Sequence, residues 1–390
     1  MAGLINKWQG EIAQANKITA NWPEWVLTQK ADALTQLETM AEPNRKMETW
    51  RYSDSGKLFA ESEVNGTDSI ELEEIDADVC VVISAQGHEV VGEMPEWLSV
   101  SGIETLSADE LISTEVKTHV PEQSMLKLNQ ALYHAGVQIK VGDNQQHPDF
   151  VVAVVIESDN SDWQFVRNQF VIGDNSQITI NEIYAGGRTN QTAVWQVGRD
   201  AKVNKTTWSQ FESEAVLVSF NQIYMSQNAE MKTMNYRFSG LLQHHNQQVE
   251  FTAERANYVS GSINKANNNS HIADIVNVFH NKKHNTSEVI HRSIADDKSQ
   301  IFNNAKAIVA HGADHSEISQ DLKNILLTDD AKIFSKPELE VSTDEVIAAH
   351  GSTIGALDES SLFYLQSRGI DAKQAKDIMI ESFVAEAEVC

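Results

Sequence analysis

Thirteen histidines against two cysteines make imidazole, a borderline donor, the abundant nitrogen metal ligand in this 390-residue chain. His280 and His284, and His311 and His315, are each spaced four apart. On a helix that spacing lets two imidazoles chelate one ion. Here the flanking text reads as strands and loops, where the geometry is poor, and solvated or rung-stacked rings are the competing reading. His88-Glu89 is followed by Gly92 where a zinc-binding helix would need its second histidine. His244-His245 and His271 stand alone. Cys80 lies in an apolar, strand-like run and Cys390 is the terminal residue, so the chain offers neither a disulfide framework nor a paired-cysteine metal knuckle. His350 differs in its setting. The apolar residues 346–349 lead up to it, and Gly351 and Gly355 follow, reading as the brackets of a turn. That places an imidazole at the end of a last strand, beside glycines that let another backbone approach closely.

Nucleotide chemistry has no foothold. Gly56-Lys57 is the one Gly-Lys pair, and it lacks the preceding glycine of a phosphate loop. Neither a dinucleotide fingerprint nor a nucleophile elbow is present. The formal net charge is −26, from 56 acidic and 30 basic residues. A surface of that sign repels nucleic acid and anionic membranes. Lys7, Glu11 and Lys17 interrupt each apolar run near the N-terminus, as no signal peptide would, and the longest apolar run, residues 150–156, is too short to span a bilayer. The expectation is a soluble, cytoplasmic protein.

The elements that would position His350 are legible as a repeat. Polar turns recur along the middle of the chain, each followed by an apolar residue that opens an alternating run. They precede Ile178, Val203, Met231, Val259, Ile301 and Ile333. The first three intervals are 25, 28 and 28 residues and the last is 32, about one coil of a solenoid. Alternation is strand-like, as in Ile178, Ile180 and Ile183, and no proline lies between Pro148 and Pro337. Stacked coils of a parallel β-helix account for these features. An antiparallel sandwich would demand hairpin signals such as Asn-Gly, which this region lacks.

The N-terminal residues 1–42 read as two helices, and strands are expected near 79–83 and 89–91. Between them, residues 43–52 (PNRKMETWRY) are basic and aromatic, fitting either a phosphate site or a linker packed on its own domain. Toward the C-terminus, Asp358 is placed to cap a helix that closes at Arg368-Gly369. Asp371 with Gln374 opens a second helix in a capping-box pattern. Leu362, Phe363, Leu365, Met379 and Phe383 are more apolar surface than two short helices hide from each other.

Four runs carry a resemblance. They are Asn324-Ile325-Leu326-Leu327, Lys336-Pro337-Glu338-Leu339-Glu340, the stretch from His350-Gly351-Ser352 through Leu357-Asp358, and the stretch from Leu362-Phe363-Tyr364 through Gly369-Ile370. Together they resemble the SufB/SufD family of scaffolds in the SUF iron–sulfur cluster assembly machine, and Gly351, Gly355 and Leu357 are similar to its SufD branch. The resemblance implies a right-handed parallel β-helix core (126–352) between an N-terminal helical and α/β region (1–125) and a C-terminal helical pair (353–390). It implies a non-enzymatic scaffold that pairs with SufB through the late coils and carries the SufC ATPase on the tail through Leu362, Phe363, Leu365, Arg368, Met379 and Phe383, with a homodimer also possible. The matching histidine, His350, is implied to serve the nascent cluster at the partner interface. Neutral imidazole suits iron and shares a site readily with a thiolate from another chain. Many SufD relatives have a cysteine two residues before this histidine. Ala348 stands there instead, so thiolates must come from the partner. No cofactor is expected to bind the chain alone, only a transient cluster or iron in the assembled complex. The rivals are a β-helix enzyme, such as a polysaccharide lyase, and a histidine-based metal-storage protein.

Overall fold

The structure, a computed structural model, describes residues 4–60, 74–112, 123–158, 162–211 and 214–389. Helices α1 (Gln9–Ile18) and α2 (Glu24–Leu37) open the chain, and β1 (Val79–Ser84), β2 (Gly87–Gly92) and β3 (Leu98–Gly102) follow. Helix α3 (Ser124–Leu132) then packs against α2. Residues 126–132, within the range read as β-helix, thus belong to a helix.

From β4 (Val137–Val141) onward the chain alternates between two sheets. One sheet receives β5 (Gln146–Glu157), β7 (Gln177–Ala185), β9 (Lys202–Phe211), β11 (Glu230–Ser239), β13 (Asn257–Ala266), β15 (Thr286–Ala295), β17 (Ser316–Leu326) and β19 (Val346–Gly355). The other receives β4, β6 (Trp163–Ile172), β8 (Arg188–Val197), β10 (Val216–Met225), β12 (Leu242–Phe251), β14 (His271–His280), β16 (Gln300–Val309) and β18 (Lys332–Val341). Each strand pairs in parallel with the next strand of its own sheet, in unbroken register over most of its length. This is the parallel β-solenoid that the repeat predicts. The N-terminal strands extend it at the base, since β1 joins the first sheet beside β5 and β3 joins the second beside β4.

Turn chemistry explains why the repeat is so regular. Asn144, Asn175, Asp200, Asn228, Arg255, His284 and His315 occupy one corner of successive coils, all at φ between 52° and 62°. Asn, Asp and His tolerate that left-handed region better than other side chains. Most donate their backbone N–H to the coil above, as in Asn175 to Arg199 O at 2.7 Å and His284 to Asp314 O at 3.0 Å. The corner is therefore a polar column. The apolar residue after it points inward: Ile178, Val203, Met231, Ile301 and Ile333 are all buried. The expectation for Val259 is off by one residue. Tyr258 is the register partner of Met231 and lies fully buried, whereas Val259 faces the other way. The repeat read as one series also mixes two rows, for Ile178, Val203 and Met231 lie in one sheet and Ile301 and Ile333 in the other.

The N-terminal helices and α3 cover the outer face of the second sheet near the base through one apolar cluster with Trp8, Trp50, Phe165 and Phe220. The basic segment after α2 runs on across that face. Trp50 stacks on His244 at 3.8 Å and Tyr52 on Phe334 at 4.2 Å. Lys336 of β18 reaches Glu48 and, at 2.9 Å, Glu338. This segment is a linker packed on its own solenoid. Among the described residues no helix is long and apolar enough to cross a membrane.

Candidate functional site

The last coil is open. Among the described residues β18 and β19 are the outermost strands of their sheets, each with one ladder neighbour. β19 runs straight through His350 to Gly355, so Gly351 and Gly355 do not bracket a turn and His350 is a mid-strand residue. Neither glycine adopts a positive φ. Register with β17 carries the extended backbone past both.

That register fixes the side on which His350 stands. Its partner on β17 is Gln320, which is buried and points into the solenoid with Ile318 and Leu322. Gln320 Nε2 donates across the interior to the Glu338 carbonyl at 3.1 Å. His350 therefore belongs to the inward row of β19, yet it is exposed, since among the described residues no further coil lies above. Ser352 is next but one in the same row, and its hydroxyl bonds Ser335 of β18 across the mouth at 2.7 Å. The candidate site is the mouth of the solenoid, an imidazole and two hydroxyls over a polar floor. Ile347, on the opposite face of β19, is 71% exposed.

The floor continues inward as polar rows that sequence reading missed. On the second sheet Gln191, Ser219, His245, Asp274, Asn303 and Ser335 are consecutive register partners. Opposite them Arg237 Nη1 donates to Asp274 at 3.1 Å, and Asn264 Nδ2 to the same oxygen at 3.2 Å. Asn303 bonds Ser293 at 3.0 Å and Asn324 at 2.6 Å, and Asn324 donates to the Thr353 carbonyl in the last coil at 2.8 Å. Deeper still, Lys205 pairs with Glu182 at 2.5 Å, both fully buried. Burial pushes the Asp274 carboxyl up, but the charge of Arg237 and hydrogen bonds from Ser262 and Asn264 outweigh it, so the group stays below the usual carboxylate range. The signal for these rows is the failure of alternation in β12, LQHHNQQVEF, which has polar side chains on both faces.

Several of the other described histidines sit in packing contacts of the fold. His284 and His315 are corner residues of successive coils with rings stacked 4.8 Å apart. His280 bonds Ser287 Oγ at 2.8 Å inside the solenoid. Burial alone lowers the His244 pKa to about 3 and that of His280 to about 4, holding both rings neutral. Among the described residues no three His, Cys, Asp or Glu side chains gather as a metal-holding group.

The tail forms as its caps predict. Helix α4 (Glu359–Ser367) has Asp358 accepting from Ser361 N at 2.8 Å, and Gly369 follows it at φ 91°. Helix α5 (Ala372–Ala385) has Asp371 accepting from Gln374 N at 2.9 Å. Helix α5 anchors the tail to the solenoid. Val384 and Ala387 are buried against Met234, Ile263, Ile294 and Ile325, and Phe383 packs beside them. Gly261 makes this close approach possible, because a Cβ there would lie 2.1 Å from the Ala387 carbonyl oxygen. Helix α4 buries no residue. Phe363 is 72% exposed and Tyr364 is exposed beside it, with Arg368 5.3 Å over the Tyr364 ring. Leu362, Leu365 and Met379 are half-buried.

A family model described as "SUF system FeS cluster assembly, SufBD core domain" matches residues 154–383, more than half of the chain. The chain belongs to the SufBD family. Its similarity to curated SufBD proteins is low in identity and broad in extent. It is 24% identical to the iron–sulfur cluster assembly protein SufD of Escherichia coli over 370 residues, covering 90% of this chain and 86% of the relative. It is 22% identical to SufD of Bacillus subtilis over 402 residues, covering 93% and 89%. A shorter match of 78 residues, 41% identical and covering 20% of this chain and 19% of the relative, links it to a SufBD family protein of Mycobacterium tuberculosis. The SufBD core match begins in β5 and ends at Phe383, so it spans most of the solenoid, the mouth with His350 and most of the tail.

Proposed function

We propose that this SufBD protein is a non-enzymatic scaffold that works in three parts, residues 1–125, 126–352 and 353–390. The late coils pair with a SufB chain, the tail carries the SufC ATPase, and His350 offers an imidazole to the nascent cluster. The observation that carries the reading is the place of His350, inward-facing in register yet exposed at an uncapped mouth. A partner that docks end-on would cover the free edges of β18 and β19 and close the mouth over the imidazole. The cluster is cargo here. Iron is held by His350 on this side and by thiolates on the partner's, since Ala348 offers none. The exposed Phe363 and Tyr364 on α4, carried on a tail already anchored through α5, support the second docking surface.

Co-expression with SufB and SufC chains tests the reading. The expected result is a complex of all three. His350→Ala should leave that complex intact and cut cluster formation in cells, while His284→Ala and His315→Ala do much less. A folded, assembled His350→Ala complex that makes clusters at the normal level would remove the site.

A further inference from the structure

Polar contacts also fasten the tail to the solenoid: Lys376 of α5 lies 3.7 Å from Asp296, and a closer set centres on Arg292 and Glu386. Arg292, on the outer row of β15, is 2% exposed. Its Nη2 donates to the Asp321 carboxylate at 2.7 Å and to Glu386 Oε2 at 2.8 Å, and Nε reaches the same Glu386 oxygen at 3.2 Å. Nη1 donates to the Asp321 backbone carbonyl at 3.3 Å and to the His291 carbonyl at 3.0 Å. Lys323 Nζ lies 2.9 Å from Glu386 and completes the clamp. Glu386 caps the C-terminal end of α5, where the helix dipole disfavours a carboxylate. Hydrogen bonds from Lys323 and Arg292 hold its carboxyl below the usual range there.

The other side of the clamp is the strand beneath the mouth. Asp321 follows Gln320, the register partner of His350, and is itself paired with Gly351. Among the described residues β19 has no ladder neighbour except β17. One guanidinium therefore grips the end of the tail helix and the single strand on which His350 depends.

We propose that Arg292 is a positioning residue that couples the tail to the strand carrying His350. With Glu386 in the clamp, β17 is pinned and β19 stays in its ladder. Drawing the tail away releases Arg292 from one of its two carboxylates and loosens the mouth. The coupling rests on the proposed function only for its purpose, which is to let a partner on the tail adjust the cluster site. Its existence is a property of the chain alone.

Hydrogen exchange on the full-length chain without partners tests it. In Glu386→Gln, amides of β19 should exchange several-fold faster while α5, still anchored by Val384 and Ala387, keeps its protection. Val384→Ala weakens the apolar anchor and leaves every clamp group in place, so it should loosen α5 with a smaller effect on β19. A role in tail docking alone would give the reverse, with β19 following α5 in both variants. Unchanged β19 exchange in Glu386→Gln, or an equal gain in Val384→Ala, overturns the coupling. A missing ATPase complex would count against the proposed function and leave this result untouched.

Discussion

The two ends of the solenoid share one backbone plan and are filled with different chemistry. At the base the interior is Val79, Val81, Val152, Val154, Ile178 and Ile180, with the Phe170 and Trp195 rings stacked at 3.8 Å, and the N-terminal helices shield it outside. Toward the mouth the inward rows carry Arg237, Asp274, His291, Asn264, Asn303 and Asn324. Stacking requires only an in-register ladder, so the fill is free to change. The consequence is energetic. A buried aliphatic side chain contributes about 1.5–3 kcal/mol, whereas an internal hydrogen bond nets about 0.5–1.5 kcal/mol and is costly when one partner is lost. The base is held mainly by non-directional burial, the buried Lys205–Glu182 pair being an exception, and the later coils add directional pairs to their apolar fill.

The contrast breaks most sharply at its extremes. Trp195→Ala should cost about 3–5 kcal/mol in urea unfolding, because neighbouring coils cannot collapse into the space left beside Phe170. Arg237→Met should cost a similar amount, about 3–5 kcal/mol, for the other reason: Asp274 is left buried without its cation, with hydrogen bonds such as that from Asn264 as its remaining support. The double variant Arg237→Met/Asp274→Leu should recover most of that loss, whereas no second substitution to a smaller residue rescues Trp195→Ala. In Arg237→Met burial governs the Asp274 carboxyl and raises its pKa, so the penalty should shrink as pH falls and grow as it rises. A penalty independent of pH, or a double variant no better than the single, would place the mouth under the same rules as the base.

Acid should separate the two ends without any mutation. Burial lowers the pKa of His244 to about 3 and of His271 and His280 to about 4, and it lowers His245 and His291 as well. Each ring stays neutral in the fold and takes a proton on unfolding below its ordinary value near 6.5. Their contribution is therefore complete above about pH 6.5 and is lost as pH falls toward about 4. All five lie in β12–β15; of the other histidines so shifted among the described residues, His134 alone sits near the base. All eight tryptophans lie at or before position 208. Between pH 7 and 5, amide exchange in the late coils should quicken while tryptophan fluorescence, read in a Trp50→Phe background because Trp50 stacks on His244, holds steady. Simultaneous change in both signals would mean one cooperative unit.

The smallest effects on stability belong to the mouth and tail surfaces. His350→Ala and Phe363→Asp replace exposed side chains and should shift stability by no more than about 0.5 kcal/mol. Their readouts are cluster formation and ATPase co-purification respectively. A drop in melting temperature of several degrees in either would mark a structural role instead.

What the sequence disclosed follows the same division. Where one strand face is apolar and the other polar, as at Ile178 and Ile180, alternation discloses both the strand and its inward side. Where both faces are polar, as in β12, the pattern vanishes and so does the interior network. The misassigned Val259 has the same origin, since Tyr258 fills an inward position with an aromatic that reads equally well as a turn residue. His350 was legible as special, but its place was misjudged because glycines 351 and 355 suggested a turn. Local propensity favoured a break there, and the ladder with β17 overrode it. Arg292 and Glu386 are 94 residues apart, a distance over which no local pattern operates.

Pro337 gives the free edge of β18 a directional code. Lys332 and Ser342 donate their amides to Ser299 and Val309 on the β16 side. Even-numbered amides of β18 thus point inward to the sheet, and odd-numbered ones point to the open edge. Position 337 is odd, and proline carries no N–H. A strand laid along this edge finds donors at Ile333, Ser335, Leu339 and Val341 and a gap between them. An incoming chain must set its own idle carbonyl against that gap, and a slipped alignment leaves one unmet. Along this edge the missing donor at Pro337 thus makes the ladder depend on alignment.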